Sequence, residues 1–107
     1  MTIGGIVSAV AAHYDLPASE LLGPRRHARV TEARHVAMAL VRKRTAVSLP
    51  ELGRYFDRDH TTCLSGVRKV LRLADTVPRM TSTLAAIELA LDGPSRVRGE
   101  MAVWGGP

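Results

Sequence analysis

Aromatic side chains are scarce in this chain: one Phe, one Trp and two Tyr among 107 residues. The core must therefore come from Leu, Val, Ile and Ala, which suits small packed helices. Single-stranded nucleic-acid binding, which relies on aromatic stacking platforms, is disfavoured. Cysteine is limited to Cys63, which excludes an internal disulfide or a structural zinc cluster. Cys63 falls in the apolar row of an expected helix, so a buried inert thiol is the expectation, not a nucleophile. The apolar N-terminal run from Ile3 to Ala12 is too short to span a bilayer and lacks the basic start of a signal peptide, so a cytoplasmic, non-membrane protein is expected.

Signals for catalysis are missing as well. His13, His27, His35 and His60 lack the close spacing and carboxylate company of a metal site. No Ser/His/Asp or Cys/His pairing suggests a nucleophile, and no GxxxxGK[ST] loop is present to cradle a nucleotide phosphate. The sequence predicts no enzyme activity, metal, cofactor or nucleotide.

What is present is a hydrophobic fraction of 46% with 23% charged residues, the balance of one globular domain with a modest core. The net charge of +5 understates an internal asymmetry. Residues 25–72 hold twelve Lys/Arg against Glu32, Glu51, Asp57 and Asp59, a block of +8, and the remainder of the chain sums to −3. Such a block is either a solvated basic face or an electrostatic footprint for a polyanion.

Hydrophobic periodicity predicts six helices and no strand. The first carries Ile3, Ile6, Val7, Val10, Ala11 and Tyr14 and stops before Pro17. A short second one opens at Pro17 and closes at Gly23. A third, about Val30 to Arg44, buries Val30, Ala33, Val36, Ala37, Leu40 and Val41. Ser48-Leu49-Pro50-Glu51 reads as a capping box opening a fourth helix, with Leu49, Leu52 and Phe56 inward. After a short Asp57-Arg58 turn, a fifth runs from about Asp59 to Ala74 and buries Cys63, Leu64, Val67, Val70 and Leu71. Pro78 breaks the chain before a last helix, about Ser82 to Leu91. Residues 1–92 form the expected domain, and 93–107, with Trp104, a mobile Gly/Pro-rich tail.

Within residues 51–70, ELGRYFDRDHTTCLSGVRKV, two short helices flank an abrupt polar turn. Asp59, His60, Thr61 and Thr62 open the second helix. Capping accounts for one acid, either Asp57 or Asp59. It does not account for a His and two Thr, mediocre helix formers that are useful against base edges: carboxylate to cytosine amino, hydroxyl and imidazole to acceptors, Thr methyl to thymine methyl. Ser65, Arg68, Lys69 and Arg72 follow at i, i+3, i+4 and i+7, a row that is either solvated or laid along phosphates. Arg58 in the turn belongs to the same basic set. Arg34 and Arg42, eight apart on the third helix, are expected to grip an adjacent strand. The loop Pro24-Arg25-Arg26-His27-Ala28-Arg29 has nothing apolar to bury and suits the narrow minor groove.

YDLPASELLGPRR, EARHVAMALVRKRTAVSLPELGRYF, RDHTT and VRKV, in this order and spacing from Ile3 to about Leu73, closely resemble the C-terminal DNA-binding domain, domain IV, of the bacterial replication initiator DnaA. The resemblance implies an all-α, Trp-repressor-like helix-turn-helix fold of six to seven helices that reads DnaA boxes in double-stranded DNA. It implies base contacts by Asp59, His60 and Thr61 with Thr62 beside them, and Arg26 in the minor groove. Arg34, Arg42, Leu49, Pro50 and Lys69 are placed by it at the backbone or groove edge, alongside Arg25 of the loop, Arg58 of the turn, and Ser65 and Arg68 of the polar row on the fifth helix. The family's usual Phe-Gly-Gly-Arg-Asp-His is here Phe56-Asp57-Arg58-Asp59-His60, one residue shorter and glycine-free, which implies a rotated or shifted recognition helix. The family's ATP-binding motor has no counterpart in these 107 residues. The expectation is a stand-alone, nucleoid-associated bacterial protein that regulates replication initiation or transcription without ATPase activity and competes with full-length DnaA. The alternative is an adaptor whose helix-turn-helix surface binds an initiator or another protein.

Overall fold

The computed structural model describes residues 2–100, with side chains described through Asp92. Six helices follow in order: α1 (Ile3–Tyr14), α2 (Ala18–Leu22), α3 (Ala28–Arg44), α4 (Leu49–Phe56), α5 (His60–Thr76) and α6 (Pro78–Glu100), with no strand among the described residues. The all-α class and the number of helices match the periodicity of the sequence. α3 is the central element, packed most extensively against α5 and then α1. Between them lie Ile6, Val10, Leu21, Met38, Leu40, Leu52, Phe56, Met80 and Ile87, all fully buried. Cys63 is buried and free, and burial raises its thiol pKa, as an inert core position requires.

Local signals set the helix ends. The Thr2 hydroxyl accepts from the Gly5 amide at 3.0 Å to start α1. The capping box of α4 is complete: the Ser48 hydroxyl accepts from the Glu51 amide (3.2 Å), and the Glu51 carboxylate accepts from the Ser48 amide (2.9 Å). Both α1 and α4 close on an aspartate in the left-handed region, Asp15 at φ 58° and Asp57 at φ 55°. Around Asp57, its own amide donates to the Arg54 carbonyl and the Arg58 amide to the Gly53 carbonyl (2.9 Å), the paired bonds of a Schellman ending. This is how the turn dispenses with glycine: aspartate is among the few other residues that tolerate this conformation.

Three expectations need correction. Pro78 ends nothing after α5 except the single linking residue Val77; it is the first residue of α6, where a missing amide is harmless, so α6 starts four residues before the expected Ser82. α6 also continues past the expected Leu91 through Gly93 and Pro94 to Glu100, and residues 101–107, including Trp104, lie outside the described residues. Leu71, expected inside, is 56% exposed, and Leu64 is only half-buried. The buried row of α5 is Cys63, Gly66, Val67 and Val70, and Leu71 lies about 100° around the helix from Val70.

Charged networks fasten α6 to the rest. The Tyr14 hydroxyl of α1 donates to the Glu32 carboxylate of α3, which also takes both guanidinium arms of Arg79 from α6 (3.0 and 3.1 Å). Hydrogen bonding to Arg79 holds the Glu32 carboxyl below its usual pKa, and burial, then Glu32, pushes the Tyr14 phenol up. At the other end of α3, Lys43 and Arg44 each meet Glu88 at 2.7 Å, and Arg44 also pairs with Asp92.

Gly53 sets how closely α4 and α5 approach, since a Cβ there would stand 2.6 Å from the Arg58 carbonyl oxygen and 3.4 Å from the His60 Cα. Gly53→Ala is expected to lower stability by about 1–3 kcal/mol in denaturant unfolding and to displace the start of α5. Asp57→Gly, which relieves the left-handed aspartate at the same turn, is expected to raise stability by up to about 1 kcal/mol. Shifts of the same sign in the two variants would contradict this account of the turn.

Candidate nucleic-acid interface

The helix-turn-helix is α4, the turn Asp57–Asp59 and α5. Of the two turn acids, Asp59 is the cap: its Oδ1 accepts from the Thr61 amide (2.8 Å) and the Thr61 hydroxyl (2.7 Å). These bonds, the backbone one first, hold its carboxyl below the usual aspartate pKa. Asp59 and Thr61 are thus partly engaged with one another. His60, beside Asp59, and Thr62 are exposed, and neither makes a hydrogen bond among the described residues. Ser65, Arg68, Lys69 and Arg72 continue the exposed face of α5. Thr62, Ser65, Arg68, Lys69 and Arg72 thus line one cleft along α5, while His60 faces the α4 side of the helix start with Pro50 and Arg54.

Beside this face, an open cleft of about 750 Å³ runs between α5 and the loop before α3, lined by Arg26, Thr31, Arg34, His35, Arg58 and Thr62 among others. Arg26 projects from the loop with no hydrogen bond or ion pair among the described residues. Arg25 next to it is exposed and reaches Glu20 at 3.2 Å. Arg42 is exposed and donates to the Val47 carbonyl at 2.9 Å. At the start of α4, Pro50 is exposed and Leu49 half-buried. Pro50 has no amide and Glu51's is taken by the cap, so Leu49 holds the first-turn amide left for an anion.

Arg34 does not do what the sequence suggested. It is only 3% exposed, and its guanidinium points inward. Nε donates to the Leu21 carbonyl (2.7 Å), while Nη2 lies within reach of the carbonyls of Glu20 (3.1 Å), Gly23 (3.0 Å) and Arg25 (3.0 Å). Its position eight residues from Arg42 is not a shared outer face, because the loop folds over it. Arg34 is an internal strut holding the basic loop. Arg58 is likewise committed: Nη1 donates to the Phe56 carbonyl and Nη2 to the Gly23 carbonyl, both at 2.7 Å, which ties the turn to the same loop. Burial, then the charge on Arg58, lowers the Arg34 pKa. The cleft floor carries these two fixed cations, neither bonded to a carboxylate among the described residues.

One surface cation was overlooked in the sequence. Arg54 of α4 is exposed and shares a cleft with Pro50, Asp59 and His60. Its position one turn after Pro50 on a short capped helix was the available signal. Among the described residues no helix is long and apolar enough to cross a membrane, and no group of three His, Cys, Asp or Glu is placed to hold a metal.

A capped short helix, a left-handed turn and a second helix with a polar exposed first turn define an all-α helix-turn-helix domain. The family described as bacterial dnaA protein helix-turn-helix matches residues 3–70, and the chain belongs to that family. Among its relatives, the chromosomal replication initiator protein DnaA of Cereibacter sphaeroides is 40% identical over 92 residues, covering 85% of this chain and 20% of that protein. The DnaA of Tropheryma whipplei is 43% identical over 82 residues, 77% of this chain and 16% of the relative. That of Neisseria meningitidis is 40% identical over 76 residues, 70% and 15% respectively. The chain thus spans a fifth or less of the length of these relatives.

Removing the Arg34 strut leaves several carbonyls facing a buried void. Arg34→Ala is expected to cost about 2–4 kcal/mol of stability in chemical unfolding, with Arg34→Lys close behind because an ammonium cannot reproduce the fork. Unchanged unfolding midpoints would return Arg34 to the surface role that its spacing first suggested.

Proposed function

We propose that this domain binds double-stranded DNA in a sequence-specific way, at sites related to DnaA boxes, with α5 in the major groove. The observation that carries the reading is the exposed row of α5 on which Thr62, Ser65, Arg68 and Lys69 line one cleft, with His60 exposed beside Arg54 at the helix start and a further cleft edged by Arg26. Hydroxyls and imidazole at the start of the helix suit base edges, and cations further along suit the flanking phosphates. In this reading Asp59, His60, Thr61 and Thr62 face bases, with Asp59 and Thr61 also bracing the helix start. Arg26 enters the minor groove, and Arg25, Arg42, Leu49, Pro50, Ser65, Arg68 and Lys69 flank the backbone. Arg54 joins them on the α4 side.

Occupying such sites regulates replication initiation or nearby transcription, at the nucleoid in the cytoplasm, without nucleotide hydrolysis by this segment. The relatives' name as chromosomal replication initiators supports the context. A domain of this kind competes with full-length DnaA for shared sites by mass action, independently of ATP.

The side chains of five cations, Arg26, Arg54, Arg68, Lys69 and Arg72, make no hydrogen bond or ion pair among the described residues. If these meet about five phosphates, affinity for duplex is expected to fall by roughly two to three orders of magnitude between about 50 and 200 mM salt. A flat response would favour the protein-binding adaptor instead. Selection of bound sequences from a random duplex pool identifies the site. On that site His60→Ala is expected to lose about 1–3 kcal/mol while sparing non-specific binding. Lys69→Ala is expected to weaken all sequences alike and to flatten the salt slope by about one unit. Equal losses of both kinds would mean that α5 does not read bases.

A further inference from the structure

His35 lies at mid-length of α3, half-buried, where α3 crosses α5. Its ring is seated against Gly66: a Cβ on that glycine would stand 2.6 Å from the imidazole Cδ2 and 3.0 Å from Nε2. Only glycine leaves α5 room to cover the ring without displacing it. Three clefts meet at this ring. One runs to Arg26 and Arg58, one to Arg26 and Lys69, and one along α5 past Thr62, Ser65, Lys69 and Arg72. His35 is therefore on the floor between the basic loop and the exposed face of α5. Neither ring nitrogen has a hydrogen-bond partner among the described residues. A half-buried imidazole with no protein partner, ringed by cations, lacks one thing, an anion to hold.

We propose that His35 hydrogen-bonds a backbone phosphate of the bound duplex as an imidazolium, taking up one proton from solvent when DNA binds. This deepens the DNA-binding reading above and rests on it.

The surroundings set the direction. Burial first, then the charges of Lys69 on α5, Arg34 on α3 itself and Arg58 in the turn, lower the His35 pKa in the free domain, so the ring is neutral at neutral pH. Of the acids on the adjoining clefts, Glu32 is engaged by Arg79 and Tyr14, and Asp57 is exposed in the turn. A phosphate arriving above the ring reverses the balance, since it neutralises the flanking cations and favours the charged imidazole. A group whose pKa rises on binding makes affinity increase as pH falls. The gain begins as pH drops through the bound-state pKa and is complete below the free-state pKa, itself under the ordinary value of about 6.5.

The test is calorimetry of the full chain with its selected duplex, at fixed ionic strength, in buffers of differing ionisation heat, with Kd followed from about pH 8 to 5.5. Wild type is expected to take up a proton and to bind up to about tenfold more tightly per pH unit lowered within that window. His35→Gln, which keeps a hydrogen-bonding group but cannot titrate, is expected to bind with that proton uptake removed. His13→Gln, altering an exposed histidine of α1 outside the interface, is expected to keep it. Equal uptake by wild type and His35→Gln, or none by wild type, overturns the proposal. Should His35→Gln fold poorly, NMR titration of the His35 ring in wild type decides the matter, since a pKa no higher with duplex than without overturns it too. Absence of duplex binding at every pH, by contrast, overturns the DNA-binding reading itself, and this proposal with it.

Discussion

The guanidinium of Arg34 is the contact on which the rest of the surface depends. Carbonyls of Glu20, Leu21, Gly23 and Arg25 turn towards it, so the chain leaving α2 wraps around a buried cation instead of an apolar plug. A buried charge is tolerable only when its donors are met, and a planar fork can meet several carbonyls where an ammonium could not. Arg58 reaches the same Gly23 carbonyl from the helix-turn-helix turn. Two elements far apart in sequence, the basic loop and the start of α5, are thereby held on either side of one cleft. The arginines also leave positive charge at the cleft floor, so the strut contributes to the field of the surface without touching a ligand.

Charge along the chain and charge on the surface are different quantities here. Twelve cations crowd residues 25–72, yet Lys43 and Arg44 are drawn to Glu88 and Asp92 of α6, Arg25 to Glu20, and Arg34 and Arg58 to backbone carbonyls. Arg29 donates to the Tyr14 carbonyl and lies 5.5 Å from the centre of the Tyr14 ring. What remains open is a smaller set, concentrated along α5 and at Arg26. Pairing of Lys43 and Arg44 ties α6 to the C-terminal end of α3, so Glu88 and Asp92 serve the fold and do not oppose the basic face.

The turn between α4 and α5 shows two residues sharing one constraint. Asp57 accepts the left-handed backbone that closes α4, and Gly53, inside the helix, gives up a side chain so that Arg58 and His60 can pass close to it. The glycine needed for the close approach is thus four residues ahead of the turn. Gly66 has the same role against His35, where α5 meets α3. Without these two approaches the exposed row of α5 would stand further from the basic loop, and the cleft between them would open.

Much of this was legible in the residues. Helical periodicity, the Ser48–Glu51 capping box and the polar opening of α5 are local patterns, because hydrogen bonds within one turn depend on neighbours three or four positions away. The family resemblance rested on the same stretches. Long-range partners had no such local signature: nothing near Arg34 announces that four carbonyls will gather on it, and Leu71 looks as apolar as Val70 until the path of α6 leaves it uncovered. Nor does Pro78 reveal whether it stops a helix or starts one. The sequence by itself determined which segments are helices, where most of them begin, and which face of α5 is polar. Only the tertiary structure decided which cations stay free and which imidazole lies between loop and helix, because burial and charge pairing depend on what packs against a residue and not on what precedes it.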